Sequence, residues 1–98
     1  LPQLTWKFER NPQQLEMQIR SSVRPDQVLA WVATSKSRDF REARFSSMTL
    51  RRDGDRYRYR RQRPEQGFTA VFGEAIFGRT AVPYFLSTNV QIVAPAAP

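Results

Sequence analysis

The sequence predicts an all-β domain: a roughly seven-stranded sandwich of the immunoglobulin-like or fibronectin type III-like kind, with a small open β-barrel as the alternative. Three observations predict it. Apolar residues recur with a period of two, as Leu4, Trp6 and Phe8 do against Thr5, Lys7 and Glu9. Turn signals such as Asn11-Pro12, Arg24-Pro25-Asp26 and Asp53-Gly54 cut the chain into short segments. No segment carries a helical stripe, and the 98 residues suit one domain without internal repeats or linkers.

The first two strands are Leu4–Glu9 and Gln14–Ser21. Each has one apolar face, the second built from Leu15, Met17 and Ile19. The third is Val28–Thr34, apolar on both faces. The bulk of Trp31 argues for turning Leu29, Trp31 and Ala33 inward and Val28, Ala30 and Val32 outward. Ser35–Arg38 reads as a polar turn. Arg41–Arg44 has no clear period and reads as a short edge strand or a loop.

Asp53-Gly54 is a hairpin signal, since a tight two-residue turn needs positive φ. With that turn, Arg52 pairs with Asp55, Leu50 with Tyr57 and Met48 with Tyr59, which puts four apolar residues on one face. Arg51, Arg56, Arg58 and Arg60 then share the other face. Phe68–Phe77 is the next strand, with Phe68, Ala70 and Phe72 inward. Unbroken alternation would bury Glu74, so a bulge at Gly73 is expected to turn Glu74 out and Ala75 and Phe77 in. Gly78–Pro83 is a turn. The last strand is Tyr84–Val93, with Leu86, Val90 and Ile92 on one face.

Composition narrows the chemistry. Net charge is +7, and arginine carries nearly all of it, since only Lys7 and Lys36 are lysines. Such a balance favours an anionic partner such as nucleic acid, a lipid headgroup or an acidic polymer. Arg51, Arg56, Arg58 and Arg60 are the candidate anion contacts. Tyr57 and Tyr59 alternate with them but fall on the core face, so the stripe lacks the aromatic platforms of a single-strand nucleic-acid groove. The same arginines also serve a plain structural end, discouraging edge-to-edge pairing.

Histidine and cysteine are absent, which removes the commonest base, the thiolate nucleophile and most metal ligands. Ser35-Lys36-Ser37 is the one place where a serine meets a lysine, and it reads as a turn. The acids Asp53 and Asp55 belong to a turn, and no acidic loop has the clustering that calcium or magnesium needs. No catalytic residue, metal or cofactor is expected. The apolar outward residues Val28, Ala30, Val32 and Val71 form the candidate docking face, since contiguous exposed apolar surface marks a contact site.

There is no long apolar run for a membrane span and no signal-peptide pattern. The chain starts at Leu1, not methionine, and reads as a domain excised from a larger protein, with residues 1–3 and 94–98 as frayed termini.

Three runs carry a resemblance: Trp31-Val32-Ala33-Thr34-Ser35-Lys36-Ser37-Arg38-Asp39-Phe40-Arg41, then Gly67 to Phe77, then Pro83 to Val93. In that order they resemble the C-terminal region of the PhoPQ-activated pathogenicity-related family. The resemblance implies a bacterial exported or envelope protein in which an α/β-hydrolase-like domain precedes this region. That upstream domain is the expected partner, and this chain is expected to be its accessory β-sandwich. The Arg-rich stretch from Arg51 to Arg63 departs from the family's pattern.

Overall fold

The structure, a computed structural model, describes residues 2–79 and 81–97. Leu1 and Pro98, in the expected frayed ends, and Thr80, in the Gly78–Pro83 turn, lie outside the described residues. Among the described residues nine strands follow in chain order: β1 (Leu4–Arg10), β2 (Gln14–Ser21), β3 (Gln27–Ser35), β4 (Ser46–Thr49), β5 (Arg52–Asp53), β6 (Arg56–Gln62), β7 (Phe68–Phe77), β8 (Tyr84–Ser87) and β9 (Gln91–Val93). They form two antiparallel sheets. One has the order β1-β2-β6-β5; the other has β4-β3-β7-β8, with β9 also paired to β7. The described residues contain no helix, so the all-β expectation holds.

The core lies between the sheets. Leu15, Met17, Ile19, Tyr57 and Tyr59 enter it from the first sheet, and Val28, Ala30, Val71, Ala75, Phe77 and Val93 from the second. Period-two alternation on β2 and β6 gave these positions correctly, because one face of each strand is polar throughout.

On β3 the faces are reversed from expectation. Val28 and Ala30 are buried in the core, while Trp31 is only half-buried and points away from it. Side-chain bulk misled here because the inner layer needs small residues. Ala30 pairs with Gly73 across β3 and β7. A Cβ on Gly73 would lie 2.2 Å from Ile19 Cδ1 and 3.2 Å from Met17 Sδ. The sheets approach too closely at this point for a large side chain. An indole turned inward would also need a buried partner for its N–H.

β7 is reversed for the same reason. Its register with β3 runs unbroken from Gln27↔Ile76 to Ser35↔Phe68, so there is no bulge at Gly73. Phe68, Ala70 and Phe72 face outward, and Glu74 joins them by simple alternation. Ala75 and Phe77 are inward, as expected.

The two extra strands arise from two interruptions. The segment from Ser46 to Asp53 changes sheets: β4 pairs with β3, and β5 pairs with β6. Leu50, buried at the crossing, donates its amide to Val28 O at 2.8 Å. The hairpin turn is Gly54-Asp55, one residue later than expected, with Arg52 opposite Tyr57. Gly54 has a positive φ of 63° and among the described residues no non-glycine residue has one, which matches glycine at the first central position of a type II′ turn. The slip of two positions preserves the faces, so Tyr57 and Tyr59 stay buried. Met48, however, pairs with Ala30 and is exposed.

The final strand breaks into β8 and β9, whose registers on β7 differ by one residue: Ala75↔Leu86 before the break and Ala70↔Ile92 after it. Thr88 fills the break. Its amide donates to Gly73 O and its hydroxyl accepts from Gly73 N, both at 2.9 Å. The step puts Leu86 inward and Ile92 outward, so Leu86 and Ile92 do not share a face. Gln3 N donates to Ser22 Oγ at 2.7 Å, and Arg63 Nε donates to Ala94 O at 3.0 Å.

Candidate functional site

The outer face of the second sheet is the most unusual surface of the molecule. A sheet solvated on one side should read apolar-in, polar-out. Here β7 presents Phe68, Ala70, Phe72 and Ile76 outward, interrupted only by Glu74. β3 adds Leu29, Trp31 and Ala33 beside them, following the pairing Leu29↔Glu74, Trp31↔Phe72 and Ala33↔Ala70. On the far side Phe85 pairs with Ile76 and is 66% exposed.

The aromatic side chains pack across the strands. The Trp31 and Phe72 rings are nearly parallel, at 12° and 6.2 Å between centroids. Phe45, leading into β4, leans on Phe72 at 5.5 Å. The guanidinium of Arg38 sits 4.9 Å above the Phe68 ring. Trp31 Nε1 donates to Glu74 Oε1 at 3.2 Å, which occupies the one carboxylate in the patch. Ala33 and Ala70 are buried beneath this layer, while Trp31, Phe72 and Ile76 remain part-exposed.

The segment after β3 is built around its own backbone. Ser35 Oγ donates to Asp39 O at 2.8 Å, and Ser37 Oγ accepts from Asp39 N at 3.1 Å. Asp39 accepts from Arg41 N at 3.0 Å and from the Arg41 guanidinium at 2.6 Å. Arg41 thereby holds the Asp39 carboxyl below its ordinary value, and Asp39 holds Arg41 above its own. The Arg38-Asp39-Phe40-Arg41 motif is thus a self-satisfied turn at the rim of the aromatic patch. Ser35 directs its hydroxyl proton to that turn, and Lys36 is exposed.

The expected docking face is not on the surface. Val28 and Val71 are 1% and 0% exposed and Ala30 is fully buried; Val32, half-buried, packs against the same core. The reversal of β3 and β7 moved the apolar outer surface onto Trp31, Phe72, Ile76 and Phe85. The signal that could have found it was Gly73. A glycine within an apolar run marks close approach of another backbone or side chain, which would have made its parity the inner one.

The candidate anion contacts are divided. Arg56, Arg58 and Arg60 lie on the outer face of the first sheet, as expected. Each meets an acid: Asp55 at 3.4 Å, Asp53 at 3.4 Å and Glu16 at 2.5 Å respectively. Arg51 lies between strands and is exposed. Hydrogen bonds from Gln18 and then Arg60 hold Glu16 below the usual carboxylate range. The stripe is therefore a charge-balanced lattice more than an open cationic surface. Among the described residues no group of three or more acids is placed to hold a metal ion, and no helix is long and apolar enough to cross a membrane.

The family model of the PhoPQ-activated pathogenicity-related protein matches residues 1–41. That stretch covers β1, β2, β3 and the Asp39 turn, and so takes in the first of the three resembling runs. No curated protein and no solved structure matches the chain.

Proposed function

We propose that this domain is a non-catalytic interaction module of an exported bacterial protein, and that it packs on a neighbouring domain through the outer face of its second sheet. One observation carries the reading: the row Trp31, Phe72, Ile76 and Phe85 leaves an aromatic, apolar layer where a solvated sheet would be polar. The family match over residues 1–41 supports the bacterial setting. The resemblance supplies the neighbour, an α/β-hydrolase-like domain upstream in the same protein.

The architecture fits such a module. We read the order β1-β2-β6-β5 against β4-β3-β7-β8 as the A-B-E-D and C′-C-F-G order of an immunoglobulin-like sandwich, a reading supported by the two antiparallel sheets. The docking face is then the sheet containing the third and seventh strands.

The test is to measure binding of the 98-residue chain to the separately produced upstream domain, with and without Ile76→Lys and Phe85→Lys. Both side chains reach solvent, so the variant should keep its melting behaviour. Binding should weaken at least about tenfold, as for loss of central apolar anchors. Undiminished binding by the folded variant would reject the reading.

A further inference from the structure

A second surface lies on the opposite side from β8, where the chain changes sheets. β6 is paired with β2 along its length, from Gln14↔Gln62 to Ile19↔Tyr57. On its other side β5 covers only Arg56 and Tyr57. From Arg58 to Gln62, β6 therefore has no strand on that second side among the described residues. β4, which would have continued the ladder, has left for the other sheet. The gap opens as a cleft of about 320 Å³ whose walls include Ala30, Val32, Met48, Tyr59, Arg44 and Arg61. Met48 and Tyr59, expected as a cross-strand pair, are instead opposite walls of this cleft.

We propose that the cleft binds an extended acidic peptide, which adds a strand to β6. An open edge offers a row of backbone donors and acceptors, the standard basis of strand addition. A strand laid there would alternate. Its inward residues would enter the cleft beside Tyr59 and Met48, where carboxylates would meet Arg44 and Arg61. Its outward residues would lie beside Arg58 and Arg60.

Charge selects the occupant. Among the described residues Arg44 and Arg61 line the cleft without a carboxylate partner, and Arg61 Nη1 donates to Tyr59 Oη at 3.3 Å. A second copy of this chain would bring its own arginines against these and be repelled. An acidic strand reverses the sign of every one of those contacts. The feature that protects the edge from self-association is the one that admits an acidic partner. This inference does not depend on the docking face, which lies on the outer side of the other sheet.

The experiment is an amide chemical-shift and hydrogen-exchange titration of the 98-residue chain with a ten-residue peptide of alternating glutamate and valine, at low and high salt. Controls are the lysine–valine peptide and a glutamate–valine peptide N-methylated at alternate amides. The expected result is slowed amide exchange at residues 58–62 and shifts at Met48, with no binding by either control. Arg44→Glu, at an exposed position outside the strands, should weaken binding about tenfold. Shifts spread over all arginines without slowed exchange on β6 would show charge adsorption alone and overturn the proposal. So would equal binding of the N-methylated peptide, or shifts confined to the Trp31–Phe72 face.

Discussion

Gly73 and Ile19 face each other across the sandwich with no room for a methyl group between them: a Cβ on Gly73 would stand 2.2 Å from Ile19 Cδ1. Ile19 is fully buried, so its methyl has nowhere open to go. Gly73→Ala should therefore destabilise the fold by about 1–3 kcal/mol, the usual range for overpacking. Ile19→Val removes the offending atom. In a double-mutant cycle by denaturant unfolding, the pair should lose clearly less than the sum of the two single variants. Additivity would mean that the contact does not limit the spacing of the sheets.

Val71→Lys distinguishes the two possible facings of β7. Val71 is 0% exposed and sits opposite Val32 on the inner face. A lysine there would bury an unpaired ammonium, which the fold cannot accommodate. The variant should lose its dispersed amide spectrum and its near-ultraviolet circular dichroism. A folded Val71→Lys would restore the facing expected from side-chain bulk.

Glu16 makes the fold sensitive to acid. Gln18, then Arg60, lower its carboxyl in the folded state. A carboxyl lowered on folding adds stability that is fully present above its unfolded value, about 4.3. That share disappears as pH falls through the lower, folded value. Glu16→Gln lacks this share. The stability difference between wild type and variant should be constant from pH 7 to about pH 5 and shrink progressively below about pH 4. Urea titrations at several pH values measure it, and a gap that stays constant down to pH 2 would exclude the linkage.

How legible all this was in the sequence depended on whether a strand was two-faced. β1, β2 and β6 alternate apolar with polar residues, and their facing could be read directly. β3 and β7 are apolar on both sides, and alternation alone cannot say which side is inner. Their facing is decided by a tertiary fact, the closeness of Gly73 to Ile19 and Met17, to which the glycine itself was the one local pointer. The sheet change at Leu50 is of the same kind. The Asp53-Gly54 signal located the hairpin to within one residue, but not the departure of β4 to the other layer. The docking residues were misplaced for that reason, whereas the arginine stripe on β6 was placed correctly and only its acidic neighbours went unforeseen.

The pairing of the strands also sets when they can assemble during synthesis. β1 and β2 form a local hairpin, but an isolated two-stranded unit is marginal in water. β2 acquires its second neighbour only when β6 is made, and β3 its central partner only when β7 is made. The stretch that matches the family model, residues 1–41, thus contributes strands to both layers and completes neither. A nascent chain can complete neither layer until β6 and β7 have been made, so folding is expected to be late and cooperative.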